Sequence, residues 1–165
     1  MRVAIASPEP VLPARGGAER AWDGLEAAIG RLTDHTVEQV KLPVDERTLL
    51  GLLDGYRRFA ALDLSAYDLV ITSKYPAWML DHPDHRLLLF HPLRGLYDTY
   101  HLFGLPETVV DPGYRIWRVL EIVRAAPDRA RLGQLFQRID RLVAALGPDH
   151  PDLALPGPLA REVVH

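Results

Sequence analysis

Val3-Ala4-Ile5-Ala6-Ser7-Pro8-Glu9-Pro10-Val11-Leu12-Pro13-Ala14-Arg15-Gly16-Gly17-Ala18-Glu19-Arg20 is the stretch on which the fold turns. Val3 to Ala6 is a short apolar run with no helical period, as a buried strand requires. Ser7 to Arg15 holds three prolines and no periodicity, which marks a loop. Gly16-Gly17 then opens a helix, because Ala18, Trp22, Leu25, Ile29 and Leu32 recur at helical spacing. Glu19 falls in the first turn, where the helix dipole favours an acid.

Outward from that opening the pattern repeats. Val37 to Val44 is β-rich and predicts a second strand. Asp45 is a suitable N-cap for a second helix whose apolar face is Leu49, Leu52, Leu53, Tyr56 and Ala60. Asp68 to Thr72 predicts a third strand and Arg86 to Phe90 a fourth, with one helical turn at Pro76 to Leu80 between them. Strands alternating with helices across short connections predict an α/β domain with a parallel sheet. Ligands of such sheets bind outside the carboxyl ends of the strands. Here those ends are Ser7 onward, Thr72 to Tyr75, and His91 onward.

The second half is helical in pattern. Tyr114 to Ala125 presents Ile116, Val119, Leu120 and Val123 on one face. Asp128 to Leu146 is capped by Asp128 and stopped by Gly147-Pro148. A proline-rich linker follows, and Pro158 to His165 begins as a helix begins. That start without a C-cap predicts that the natural chain continues.

Composition narrows the function classes. The chain has 165 residues, of which 48% are hydrophobic, enough for one ordinary domain with a full core. There is no cysteine, which excludes disulfides, a thiol nucleophile and cysteine-ligated metals. A net charge of −3 gives no electrostatic reason to expect nucleic acid. The longest run of large aliphatic and aromatic residues, Leu87 to Phe90, is far below the roughly 20 residues that span a bilayer. A cytoplasmic domain is the expectation.

Several residues can carry chemistry. Gly16 and Gly17 at a helix start leave backbone N–H groups unobstructed for a phosphate or diphosphate, or they simply enter the helix. His91 follows a strand at the ligand edge and can hydrogen-bond a sugar hydroxyl or assist charge at a reacting centre; it can equally be satisfied by backbone. Arg94, Tyr97 and Asp98 share the next loop and can orient a polyol or an anion, unless Arg94 and Asp98 only pair with each other. Lys74 and Tyr75 follow the third strand. His82-Pro83-Asp84-His85 has ligand types but reads as a polar turn, so no metal is expected. Trp117 stands beside Arg115, Arg118 and Arg124, a composition that suits an interface or a membrane surface, unless Trp117 packs laterally in the core.

The opening strand, Gly16-Gly17-Ala18-Glu19-Arg20, the strand Asp68 to Thr72, and Leu89-Phe90-His91-Pro92 together resemble the N-terminal half of family-4-type retaining glycosyltransferases of the GT-B fold. Pro92-Leu93-Arg94-Gly95-Leu96-Tyr97-Asp98 is similar to a stretch of bacterial polysaccharide and O-antigen mannosyltransferases. The likeness covers roughly residues 1–105. It implies a Rossmann-like domain over 1–147, with a parallel sheet, helices on both faces and a helical C-terminal segment. Residues 148–165 become a linker and truncated helix toward a further, donor-binding domain. It also implies a nucleotide-sugar donor, a glycan or lipid-linked acceptor, peripheral contact with the inner membrane face, and no cofactor or metal. Gly16 and Gly17 would face the donor diphosphate and His91 the transferred sugar. Glu19, Lys74, Tyr75, Arg94, Tyr97 and Asp98 would serve the acceptor. The remaining alternative is a non-catalytic carbohydrate- or nucleotide-binding or assembly module.

Overall fold

In a computed structural model, residues 1–10, 16–90, 92–125 and 128–164 are described. The chain runs β1 (Arg2–Pro10), α1 (Gly17–Leu32), β2 (Thr36–Val44), α2 (Leu49–Ala60), β3 (Leu69–Thr72), β4 (His85–Leu87), α3 (Tyr114–Val123), α4 (Leu132–Leu146) and α5 (Pro158–Val164). The four strands form one sheet in the order β2-β1-β3-β4, and every pairing is parallel. The expected α/β, Rossmann-like class is therefore what the chain adopts, with a helical segment following it.

Strand order explains the placement of the helices. From β1 the chain steps to β2 on one side, then returns past β1 to β3 on the other. Parallel crossovers are right-handed, so steps in opposite directions put α1 and α2 on opposite faces. The strand residues Val3, Ala4, Ile5, Ala6 and Val70 are accordingly buried, together with Trp22 of α1 and Leu52, Leu53, Tyr56 and Phe59 of α2.

Two compact units result. The first comprises residues 1–47 and 51–92, and the second residues 48–50 and 93–165. Within the second, α3 packs on α4 and α5 through Ile116, Val119, Leu120, Ile139, Leu142, Leu159 and Ala160. The Glu162 carboxylate ties this unit together. It accepts from the Val109 N–H (2.7 Å) and from Arg124 Nε (2.7 Å) and Nη2 (2.9 Å).

Four expectations are corrected. Ser7 to Pro10 is not loop but continues β1, paired with Lys41 to Val44, because β2 is long enough to template it. Asp45 does not cap α2. Its carboxylate accepts from the Arg47 N–H (3.0 Å) and pairs with the Arg47 guanidinium (2.8 Å), a local turn that competes with capping, and α2 begins at Leu49. The fourth strand is neither 86–90 nor buried. It is His85 to Leu87 at a sheet edge, and Leu87, Leu88, Leu89 and Phe90 remain 41–50% exposed. Leu32, placed on the core face of α1, is exposed in its last turn.

Candidate functional site

All four strands point the same way, so their carboxyl ends share one edge of the sheet. The chain leaves β1 toward β2 on one side, while β3 lies on the other. That is the topological switch point at which open α/β sheets form their ligand crevice. The register gives it shape. Ala6 is level with Thr72, the last residue of β3, and β1 continues four residues further with β2 alone as partner. The β3-facing side of Ser7 to Pro10 is therefore unpaired by any strand beyond Thr72.

Two serines flank this step. Ser7 is buried, and Ser73, the residue after β3, is 0% exposed. The Ser73 Oγ has no hydrogen-bond partner among the described residues. A buried hydroxyl without a partner is costly, and such groups mark places where a ligand or water completes the bonding. Sequence reading passed over Ser73, although its position directly after a strand in Thr72-Ser73 was the available signal.

α1 starts in the connection that leaves β1. Gly16 is its N-cap, with extended backbone, and both Gly16 and Gly17 are exposed. The Gly16 N–H donates to the Glu19 Oε2 at 2.8 Å. A Cβ on Gly16 would lie 3.0 Å from that carboxylate oxygen, so the missing side chain is what lets Glu19 close over the helix end. At Gly17 a Cβ would meet nothing within 4 Å. The first-turn N–H groups of a helix have no partner within the helix, and here they begin on a glycine with open space beside it. Glu19 thus caps α1, and its negative charge sits where an incoming anion would add its own.

Lys74 and Tyr75 are drawn together by Glu46 in the turn after β2. The Lys74 Nζ lies 3.7 Å from Glu46 Oε1, and the Tyr75 hydroxyl donates to Glu46 Oε2 at 3.3 Å. The ammonium also sits 5.7 Å from the centre of the Tyr75 ring. Tyr75 is buried, and burial, reinforced by the Glu46 charge, holds its hydroxyl protonated far above the ordinary tyrosine range. Their polar atoms are engaged with Glu46, whose participation no local pattern announces, since residues 46 and 74 are brought together only by folding.

His91 lies outside the described residues. Arg94, Tyr97 and Asp98 belong to the second unit. A single helical turn at Arg94–Leu96 is held by the Arg94 carbonyl, which accepts from the N–H groups of Tyr97 (3.1 Å) and Thr99 (3.0 Å) and from the Thr99 hydroxyl (3.0 Å). The exposed Arg94 and Asp98 side chains pair at 3.4 Å. Tyr97 is half-buried, and burial raises the pKa of its hydroxyl, against the opposing charge of Arg161.

The histidines of the polar turn are used internally. His82 Nε2 is 3.0 Å from the Tyr67 carbonyl and its Nδ1 accepts from the Asp84 N–H, while His85 Nε2 is 2.7 Å from the Thr72 hydroxyl. Among the described residues no group of three or more His, Asp or Glu side chains is placed to hold a metal ion. No helix among them is long and apolar enough to cross a membrane. Compared with protein-family models, with curated proteins and with solved structures, the chain matches none.

Proposed function

We propose that the chain is the acceptor-side half of a retaining glycosyltransferase that acts in the cytoplasm on a nucleotide-sugar and a glycan or lipid-linked acceptor. The observation that carries this reading is the open Gly17 start of α1, which follows β1 in an all-parallel sheet with a switch point between β1 and β3. The helix start offers backbone donors and partial positive charge with no side chain on Gly17, and a diphosphate would bind there by displacing the Glu19 carboxylate from the Gly16 N–H. The buried, unpartnered Ser73 hydroxyl after β3 adds a donor and acceptor at the same edge.

In the proposed reaction the bond from the sugar's anomeric carbon to the diphosphate oxygen breaks. A bond from that carbon to the acceptor oxygen forms on the same face, and the acceptor proton passes to the departing diphosphate. His91, which follows β4 after three residues, is assigned to hold the sugar through a hydroxyl. Its contribution would be positioning and charge stabilisation. A second domain supplies the nucleotide-binding face of the site, so this chain alone does not turn over.

The test uses the complete gene product with a panel of nucleotide-sugars and candidate acceptors, following nucleoside-diphosphate release and the anomeric configuration of the product. Release that requires both substrates, with retained configuration, supports the reading. His91→Ala should then lower kcat by on the order of 10². Absence of acceptor-dependent release, or inversion at the anomeric carbon, overturns it.

A further inference from the structure

The second unit contains a hollow between α3 and α4 of about 270 Å³, lined by Tyr114, Arg115, Arg118, Arg138, Arg141 and Leu142. Through Tyr114, Arg115 and Leu142 it adjoins a wider hollow of about 500 Å³, which Ile116, Leu146, His150 and Asp152 help to line. Four of the six residues lining the smaller hollow are arginines, in a chain whose net charge is −3. Composition therefore does not account for the cluster.

Helical spacing builds it. Arg115 and Arg118 are three apart on α3, and Arg138 and Arg141 three apart on α4, so each pair shares a helix face. Glu121 pairs within the cluster. Its Oε2 lies 3.2 Å from Arg118 Nη1 and 2.7 Å from Arg138 Nη1. Arg138 also donates to the Arg118 carbonyl, and its side chain is only 17% exposed. The Arg115 and Arg141 side chains form no hydrogen bond or ion pair among the described residues. In the adjoining hollow Asp152 sits 3.6 Å from His150.

Arg138 and Arg118 are tied into the helix contact through Glu121, but packing does not require Arg115 or Arg141. The α3–α4 contact is made by buried Ile116, Val119, Leu120, Ile139 and Leu142. Like charges on one helix face weaken it, so the cluster works slightly against the free protein. Guanidinium forks match phosphate oxygens in geometry and charge, and a partly enclosed hollow strengthens each contact. At the mouth, the exposed Tyr114 ring stacks on Trp117 with centres 6.4 Å apart and planes 21° apart.

We propose that the α3–α4 hollow is a binding site for a phosphate ester or diphosphate. The phosphate group occupies the arginine-lined part, and the organic body lies in the adjoining hollow against Ile116, Leu142 and Leu146. Arg138, fixed by Glu121 and the Arg118 carbonyl, presents a rigid fork. Arg115 and Arg141 close on the ligand from either helix. The site lies wholly in the second unit and does not rest on the glycosyl-transfer reading.

Titration calorimetry of the full chain with inorganic pyrophosphate tests it. Saturable binding is expected, weakening as salt rises. The R115Q/R141Q double variant should lose at least about ten-fold in affinity, as loss of charge-assisted hydrogen bonds implies. Because neither side chain has a partner among the described residues, the ligand-free melting temperature should hold, which separates lost binding from lost folding. R31Q in the first unit makes a charge change of the same kind at a residue that does not line the hollow and should leave affinity unaltered. Vesicles of phosphatidylglycerol and phosphatidylcholine form a second arm. Vesicle binding that pyrophosphate competes away supports the site and identifies a lipid headgroup as the phosphate source. No saturable pyrophosphate binding, undiminished binding in R115Q/R141Q, an equal loss in R31Q, or vesicle binding that pyrophosphate does not touch would each overturn it.

Discussion

Gly55 shows how closely α2 approaches the end of β2. A Cβ there would lie 2.8 Å and 3.1 Å from the two methyl carbons of buried Val44 and 3.2 Å from Pro76 Cγ. Alanine in a helix interior is favoured over glycine by about 1 kcal/mol. Crowding a stiff, buried valine costs about 1–3 kcal/mol. Gly55→Ala should therefore lower stability by about 1 kcal/mol, read from urea midpoints at unchanged slope. A stabilised variant would mean that α2 stands further from Val44. Glu162 gives a pH-dependent case. Burial pushes its carboxyl pKa up, but the Arg124 guanidinium, the Val109 N–H and the charge of Arg161 outweigh burial and hold it below the ordinary value of 4.5. A depressed folded pKa contributes stability that is complete above about 4.5 and is lost as pH falls through the folded value. Glu162→Gln should cost about 2 kcal/mol near neutral pH, where charge-assisted hydrogen bonds are replaced by neutral ones. The difference from the wild type should shrink as pH falls below about 4.5. A gap that stays constant across that range would exclude the carboxylate charge as its source.

At the scale of elements, β4 separates a sequence signal from its usual meaning. Leu87-Leu88-Leu89-Phe90 is the longest run of large aliphatic and aromatic residues in the chain, yet only His85 to Leu87 is strand and the run stays about half exposed. Replacing Leu88 by Asp should cost about 1 kcal/mol or less, since little burial is lost. Leu52→Ala in the core should cost about 2–5 kcal/mol. A comparable loss at Leu88, measured by the same urea unfolding, would mean that the run is covered. The other strands and helices were legible because their signals are local. Apolar runs at Val3–Ala6 and Asp68–Thr72 and the helical period from Ala18 to Ile29 need no knowledge of partners. The extension of β1 to Pro10 was not legible, because it depends on β2 as a template. The edge position of β4 was hidden for a similar reason, since periodicity reports that residues are apolar and not whether a neighbouring strand exists. In the candidate site, the end of β3 at Thr72 and the glycine start of α1 could be read directly. The commitment of Lys74 and Tyr75 to Glu46, the unpartnered Ser73 hydroxyl and the convergence of four arginines arise from contacts between distant segments. Spacing showed only that Arg115 and Arg118 stand near Trp117.

For the molecule as a whole, each unit carries its own candidate site. The first holds the β1/β3 switch point with the open start of α1, and the second holds the arginine-lined hollow. The central claim concerns the first, and Gly17 isolates it. Any Cβ at Gly17 enters open space, so a side chain there should not disturb the fold. At the first helical position valine loses little relative to glycine. The same side chain would stand in front of the N–H groups that the proposed diphosphate needs. The decisive measurement is acceptor-dependent nucleoside-diphosphate release by the complete gene product carrying Gly17→Val, with its urea midpoint determined alongside. A ligand role for the α1 start predicts that release is abolished while the midpoint is unchanged; undiminished release from the equally stable variant would contradict it.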